Sequence, residues 1–241
     1  MLEVEARWLR ARLQELPDGE LSPLLNLGSS DLHFRTEAQP WIDREVFAPL
    51  RARGAEIVHS DLKTLPGVDI AADALSEAGL SRLRAVGARA ILCCNMLEHV
   101  TDRAALAERL AALVPAGGLL VVTVPFSYPY HPDPIDTYYR PDPEDMSREL
   151  FPGLRLVRAE IVDGPTYAPE LLRRPWLLVR DLRKLAGLRD SPSGTAGSRL
   201  PGCVAPIGSA ARCCGGSRGC RSARSRSAST RAWRGSARRP R

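Results

Sequence analysis

The sequence predicts an α/β fold: a doubly wound, mainly parallel sheet with helices on both faces. Two observations carry this. Between residues 22 and 187, short apolar runs rich in β-branched residues alternate with longer stretches of helical periodicity. Several of the runs also end on a small-residue turn or an acid, as in LLNLGSS (24–30), EIVHSD (56–61) and VDIAADA (68–74). Ligands of such sheets bind outside the carboxyl ends of the strands, so the residues just after each strand are the first candidates for a site.

Leu2, Ala6, Leu9, Leu13 and Leu16 recur at steps of three and four, which predicts an amphipathic helix within residues 1–20, stopped by Pro17, Asp18 and Gly19 and serving as a lid or packing helix. SPLLNLGSSD (22–31) reads as a first buried strand entering a turn. Ile42 to Arg53 reads as helix, AEIVHSD (55–61) as a second strand ending on Asp61, and VDIAADA as a short third strand ending near Asp73. Leu75 to Val86 is helical and leads to ARAILCCNMLEHV (88–100), the fourth and most apolar strand. Thr101 or Asp102 caps the next helix, whose Leu106, Leu110 and Leu113 share a face before Pro115, Gly117 and Gly118 end it. GLLVVTVP (118–125) is the fifth strand and LRLVRAEIV (154–162) the sixth. PELLRRPWLLVRDLRKLAG (169–187) reads as helix, broken at Pro175.

The formal net charge of +6 belongs to one segment. All 28 acids but only 23 of the 34 basic residues lie in 1–190, which is therefore net −5. The basic pI gives no support to nucleic-acid binding by that part. Residues 191–241 hold 11 Arg, 10 Ser, 8 Gly and 8 Ala, with Leu200, Val204, Ile207 and Trp233 as the large apolar residues besides cysteine. Such a segment is expected to be a disordered tail, because it cannot bury enough surface to offset its ordering entropy. Two origins stay open: an arm for RNA or another anionic surface, or a frameshifted end, since Arg without Lys is what GC-rich DNA yields out of frame. The expected organisation is thus a helix over 1–20, one folded α/β domain over 21–190 and the tail over 191–241. Cys93 and Cys94 lie in an apolar run and are expected to be buried thiols, while the four tail cysteines match no zinc spacing. With no apolar run of membrane-spanning length and a charged N-terminal stretch, the expected location is cytoplasmic and no membrane partner is expected.

In their order and spacing LLNLGSS, the acid closing EIVHSD, VDIAADA, NMLEHV (95–100) and VPAGGLLVVTVP (114–125) resemble the class I S-adenosylmethionine-dependent methyltransferases, especially the small-molecule (type 11-like) members whose fourth strand runs into Leu-Glu-His. The resemblance covers residues 22–165 and implies a Rossmann-like fold with S-adenosyl-L-methionine as cofactor. It implies that Gly28, Ser29 and Ser30 line the methionine end, that Asp61 accepts the ribose hydroxyls, that Asp73 meets the adenine amino group, and that Asn95 and Met96 border the sulfonium and the adenine face. The physics of each position agrees: small turns let backbone N–H groups approach a ligand, and an acid can accept two hydroxyls. Asp69 competes with Asp73 for the adenine role. Glu98 and His99 are commonly present in the family, where they shape the cleft.

This chain departs from the pattern at the first turn. Asn26 stands where the family usually carries an acid, and Gly28 is followed by two serines rather than further glycines. Asn26 can accept from the cofactor's ammonium only without a charge. The rival dinucleotide fingerprint needs three glycines and an acid about 20 residues on, whereas Asp61 lies 33 positions after Gly28. In the family a seventh strand enters antiparallel between the fifth and sixth. None is apparent before residue 190, so the seventh strand is expected to be missing or replaced by the tail, leaving an open edge.

PFSYPYHPDPIDTYYRP (125–141) follows the fifth strand. Its prolines predict an extended, preordered loop, and Tyr128, Tyr130, Tyr138 and Tyr139 broad contact area with polar tips. It is similar to a Pro-Tyr-His-Pro-x-Pro-x-Asp pattern of the same family, which implies a wall or lid over the acceptor. His131 is the candidate general base, with Asp133 and Asp136 near enough in sequence to orient it; a metal site from the same three residues is disfavoured by the prolines. The expected function is methyl transfer to a small-molecule or glycan-type acceptor. The alternatives are a catalytically inactive binding or scaffold domain and an RNA-associated protein acting through the tail.

Overall fold

The structure is a computed structural model that describes residues 1–128 and 135–164 and the backbone of 229–234. Its element order is α1 (Glu3–Gln14), α2 (Asp18–Leu21), β1 (Leu24–Leu27), two π-helical turns (Phe34–Ala38 and Ile42–Phe47) running into α3 (Ala48–Ala52), β2 (Ile57–Asp61), β3 (Ile70–Ala71), α4 (Glu77–Arg84), β4 (Ala90–Cys94), a 3-10 turn (Leu97–His99), α5 (Arg103–Leu113), β5 (Leu119–Val124), α6 (Pro143–Leu150), β6 (Arg155–Ile161) and β7 (Ser229–Arg234). The strands form one sheet in the order β3-β2-β1-β4-β5-β7-β6. β1 to β5 pair in parallel, and β7 runs antiparallel to both β5 and β6. This is a Rossmann-like, mainly parallel arrangement with one antiparallel strand.

Strict alternation along the central strands divides the core into two layers. Leu25, Leu27, Ile91, Cys93, Leu120 and Val122 face the layer closed by α4, α5 and α6. Leu24, Ala90, Leu92, Leu119 and Val121 face the layer closed by α1 and the stretch from Ile42 to Leu50. Both faces of β1, β4 and β5 are therefore covered, which is why these strands read as continuous apolar runs. Helix starts follow their capping residues: Ser76 accepts from Gly79 N, and Asp102 from Ala105 N, the latter being one of the two expected caps.

The tail supplies the seventh strand, one of the two outcomes expected, and what the structure corrects is an absent strand and the disorder expected of residues 229–234. Residues 229–234, assigned to the disordered tail, form β7 and fill the place between β5 and β6, with Thr123 and Glu160 both registered on Thr230. The reason is backbone pairing: β5 and β6 each present a row of unpaired N–H and C=O groups, and six extended residues satisfy both rows. The rest of the tail and the predicted helix over 169–187 lie outside the described residues. Helix α6 was not foreseen. It starts on Asp142, which accepts from Glu144 N, with Pro143 in the first turn, and buries Met146 against the β5 side of the core.

Candidate functional site

The chain leaves β1 on one side of the sheet's strand-order reversal and β4 on the other, and the crevice between them is where ligands of such sheets bind. A cleft of about 790 Å³ opens there. That is the size of a cofactor-plus-substrate pocket. It is lined by the expected Asn26, Gly28, Ser29, Ser30, Asp61, Asp73, Asn95, Met96 and Tyr128.

The turn after β1 is fastened to the segments around it. Gly28 has φ +73, and a Cβ there would lie 3.0 Å from Met96 Sδ, so the position demands glycine and brings the two chain segments into contact. Ser29 N donates to Ser60 O at 2.9 Å, fastening the turn to β2. Ser30, with φ +53, occupies a left-handed conformation that glycine adopts more readily. It is held by its N–H to Asp61 Oδ2 at 2.9 Å and by its carbonyl to Arg35.

Arg35 was not foreseen. It is 2% exposed and donates to the carbonyls of Ser29 (3.1 Å), Ser30 (2.7 Å) and Gly67 (2.6 Å). Burial lowers its pKa, opposed by the charges of Asp69, Asp43 and Asp31. A lone Arg within a polar helical stretch carries no periodic signal, so only the fold reveals it as the brace of the turn.

Asn26 is 6% exposed, and its Nδ2 donates to Nδ1 of His59 at 3.1 Å. His59 stands opposite in β2, in register with Asn26, with the edge of Phe47 against its ring at 4.8 Å. Burial, reinforced by the Arg35 charge, lowers its pKa to about 4, so the ring is neutral near pH 7 and free to accept.

The two acids weighed for the adenine end are separated by the structure. Asp69 is engaged with β2, its Oδ2 accepting from His59 N at 2.7 Å. Asp73 borders the cleft, with Oδ1 accepting from Leu75 N at 2.9 Å.

After β4 the backbone turns at Asn95, φ +49, whose N–H reaches Thr123 O at 2.9 Å. The Asn95 amide donates to Oε1 of Glu5 at 2.9 Å, bringing α1 onto the cleft. Glu98, fully buried, also lines the cleft, and among the described residues neither carboxyl oxygen has a hydrogen-bond partner. Burial raises its pKa to about 7, with Arg140 opposing and Glu5 adding to the rise. The nearest ring nitrogen, Nε2 of His99, is 3.8 Å away.

The stretch after β5 is docked by its far end onto this turn. Thr137 N and Oγ1 both donate to Glu98 O at 2.9 Å, His99 Nδ1 meets Ile135 O, and Arg103 lies 4.5 Å over the Tyr139 ring. Asp136, 7% exposed, accepts from Arg140 Nη2 at 2.7 Å and from Tyr138 N at 2.9 Å. The structure thus brings Tyr128 to the cleft and sets Asp136 in the loop's own anchor. Tyr130, His131 and Asp133 lie outside the described residues. Cys93 is a buried thiol as expected, its pKa pushed up by burial, whereas Cys94 is half-buried and lines the cleft. Among the described residues no group of His, Cys, Asp and Glu is placed to hold a metal ion, and no helix is long and apolar enough to cross a membrane.

No protein-family model matches the sequence, and no curated protein matches it. Among solved structures the chain is similar to the MccD protein, at 13% identity over 95% of this chain and 96% of that one, with a TM-score of 0.48. It is similar to the Burkholderia thailandensis 1,6-didemethyltoxoflavin-N1-methyltransferase with bound 1,6-didemethyltoxoflavin and S-adenosylhomocysteine, at 16% identity over 66% and 72% of the two chains and a TM-score of 0.47. An S-adenosylmethionine-dependent methyltransferase from Mesorhizobium loti gives 16% identity over 95% and 97%, and 0.40.

Proposed function

We propose that this chain is an S-adenosylmethionine-dependent methyltransferase acting on a small-molecule or glycan-type acceptor. One observation carries the reading: the left-handed turn Gly28–Ser30 and the Asp61 carboxyl, fastened to each other at the tips of neighbouring strands, face a cofactor-sized cleft where the strand order reverses. The residues present fit the group. Gly28 holds the positive φ that lets the turn pass close to Met96, and the cleft holds buried acids, Glu5 and Glu98, that make no carboxylate–guanidinium or carboxylate–ammonium pair among the described residues. A cleft of that kind favours a cationic ligand.

In this reading Asn26 and Gly28 to Ser30 hold the methionine end, Asp61 accepts the ribose hydroxyls, Asp73 meets the adenine amino group, and Asn95 and Met96 border the sulfonium. The bound cofactor supplies a methyl group on an already activated leaving group. The chain's task is then alignment of the acceptor and exclusion of water. Tyr128 and the stretch that follows would form the acceptor wall, with His131 as the base for an acceptor that must lose a proton. An amine bound in its neutral form would need no such base.

A second reading, a methyltransferase-like domain that binds without turnover, is favoured by Asn26, which stands where the family carries an acid and has its amide engaged by His59. Calorimetry of the whole chain with S-adenosylmethionine and S-adenosylhomocysteine tests the first reading. Micromolar binding of both is expected; a folded chain that binds neither would overturn it. Methyl release from labelled cofactor in the presence of an acceptor mixture then separates enzyme from binding domain.

A further inference from the structure

Glu5 is an acid in an unusual place. It belongs to the first turn of α1, yet it is 1% exposed and lines the cleft. Its Oε1 accepts from Asn95 Nδ2 at 2.9 Å and its Oε2 from Leu2 N at 3.3 Å, and it forms no ion pair among the described residues. A buried carboxylate with only neutral donors is costly, and each of its oxygens keeps lone pairs for a further donor.

Its neighbours place it at one end of the crevice. Leu27 and Cys93 are register partners in adjacent parallel strands, so the chain segments leaving β1 at Gly28 and β4 at Asn95 emerge side by side. Both turn away in the left-handed conformation, at φ +73 and +49. Glu5 grips the second of these turns from above, whereas Asn26, inside β1, directs its amide sideways to His59. The acid missing from β1 is therefore present in the cleft, carried by a different element.

We propose that Glu5, from the N-terminal helix, is the acidic partner of the cofactor's amino-acid ammonium, taking the charge role that Asn26 cannot fill. This rests on the cofactor reading above. An ammonium suits it because it brings N–H donors as well as charge to oxygens that each make one bond already. Helix α1 then acts as part of the binding site in addition to packing against the sheet.

The test compares wild type and Glu5→Gln, which keeps the shape and the acceptor for Asn95, by calorimetry with three probes. S-adenosylhomocysteine carries the ammonium without the sulfonium, S-adenosylmethionine carries both, and 5′-methylthioadenosine lacks the whole amino-acid end. Glu5→Gln is expected to weaken S-adenosylhomocysteine and S-adenosylmethionine about tenfold or more while leaving 5′-methylthioadenosine unchanged. An equal loss for all three probes would mark Glu5 as merely structural and overturn the inference. So would unchanged S-adenosylhomocysteine, with or without a loss confined to S-adenosylmethionine. A folded wild type that binds none of the three would instead sink the cofactor reading, and this inference with it.

Discussion

Asp61 Oδ2 accepts the backbone N–H of Ser30 at 2.9 Å, so the residue that ends β2 also fixes the turn that follows β1. One carboxyl thus has a structural bond and a cleft-facing position at once. Asp61→Asn retains an oxygen for Ser30 but loses the charge. Thermal unfolding of this variant should show a loss of no more than about 1 kcal/mol, while its calorimetric affinity for S-adenosylhomocysteine falls at least about tenfold. Asp61→Ala should lose both.

Arg35 satisfies three carbonyls from a buried position. Lysine has a single nitrogen and cannot span the same set. Arg35→Lys should cost about 2–3 kcal/mol, read as a lowered urea midpoint at unchanged slope. Binding of S-adenosylhomocysteine should weaken with it, because the turn loses its brace.

Two buried groups give stability opposite dependences on pH. Glu98, raised from 4.5 to about 7, stabilises the fold below pH 4.5 relative to its ionised state, and this contribution is lost as pH rises through 7. His59, lowered from 6.5 to about 4, contributes fully above pH 6.5 and loses its contribution as pH falls toward 4. Glu98→Gln should therefore stabilise the chain at pH 8 by about 2–3 kcal/mol and change little at pH 5. His59→Gln should flatten the acid side of the stability profile. Urea unfolding of each variant from pH 4 to 8 measures both limbs, and the same slope in a variant and wild type would refute the assignment of that limb.

Thr230 sits in mid-strand between Thr123 of β5 and Glu160 of β6. Proline there removes a ladder donor and cannot fit a central strand. Thr230→Pro should cost about 3 kcal/mol or more and raise the aggregation rate measured by light scattering. Thr230→Val should do neither.

His131→Ala distinguishes a base from a wall. With an alcohol or phenol acceptor, turnover should fall by about 100-fold or more at unchanged affinity for S-adenosylhomocysteine. Turnover that is unchanged across pH would leave the stretch a structural role alone.

The central strands β1, β4 and β5 were legible in the sequence because burial on both faces makes them apolar runs, and the turn glycine and closing acids were legible because each stands at a strand end. Arg35, Glu5 and His59 were not. Their importance comes from long-range neighbours: Arg35 and Glu5 read as solvated faces of helices until the fold places them, and His59 gains its meaning only from Asn26 opposite it in β1. Strand β7 was hidden for a different reason: its pairing partners lie 68 or more positions away, and the arginines around it mask a short extended segment. Helix α6 was obscured by the prolines before it, although Asp142 and Pro143 mark its start.

Strand β7 also sets a timetable. Sixty-seven residues separate the end of β6 from its start, so a ribosome adding roughly 5–20 residues per second needs several seconds to deliver it. Throughout that interval β5 and β6 have been made but their shared partner has not. The nascent chain must keep two strand edges apart from each other and from neighbouring chains until β7 emerges. A β7 segment from a second nascent chain offers the same backbone pairing as its own, so this connection exposes the chain to strand exchange during synthesis.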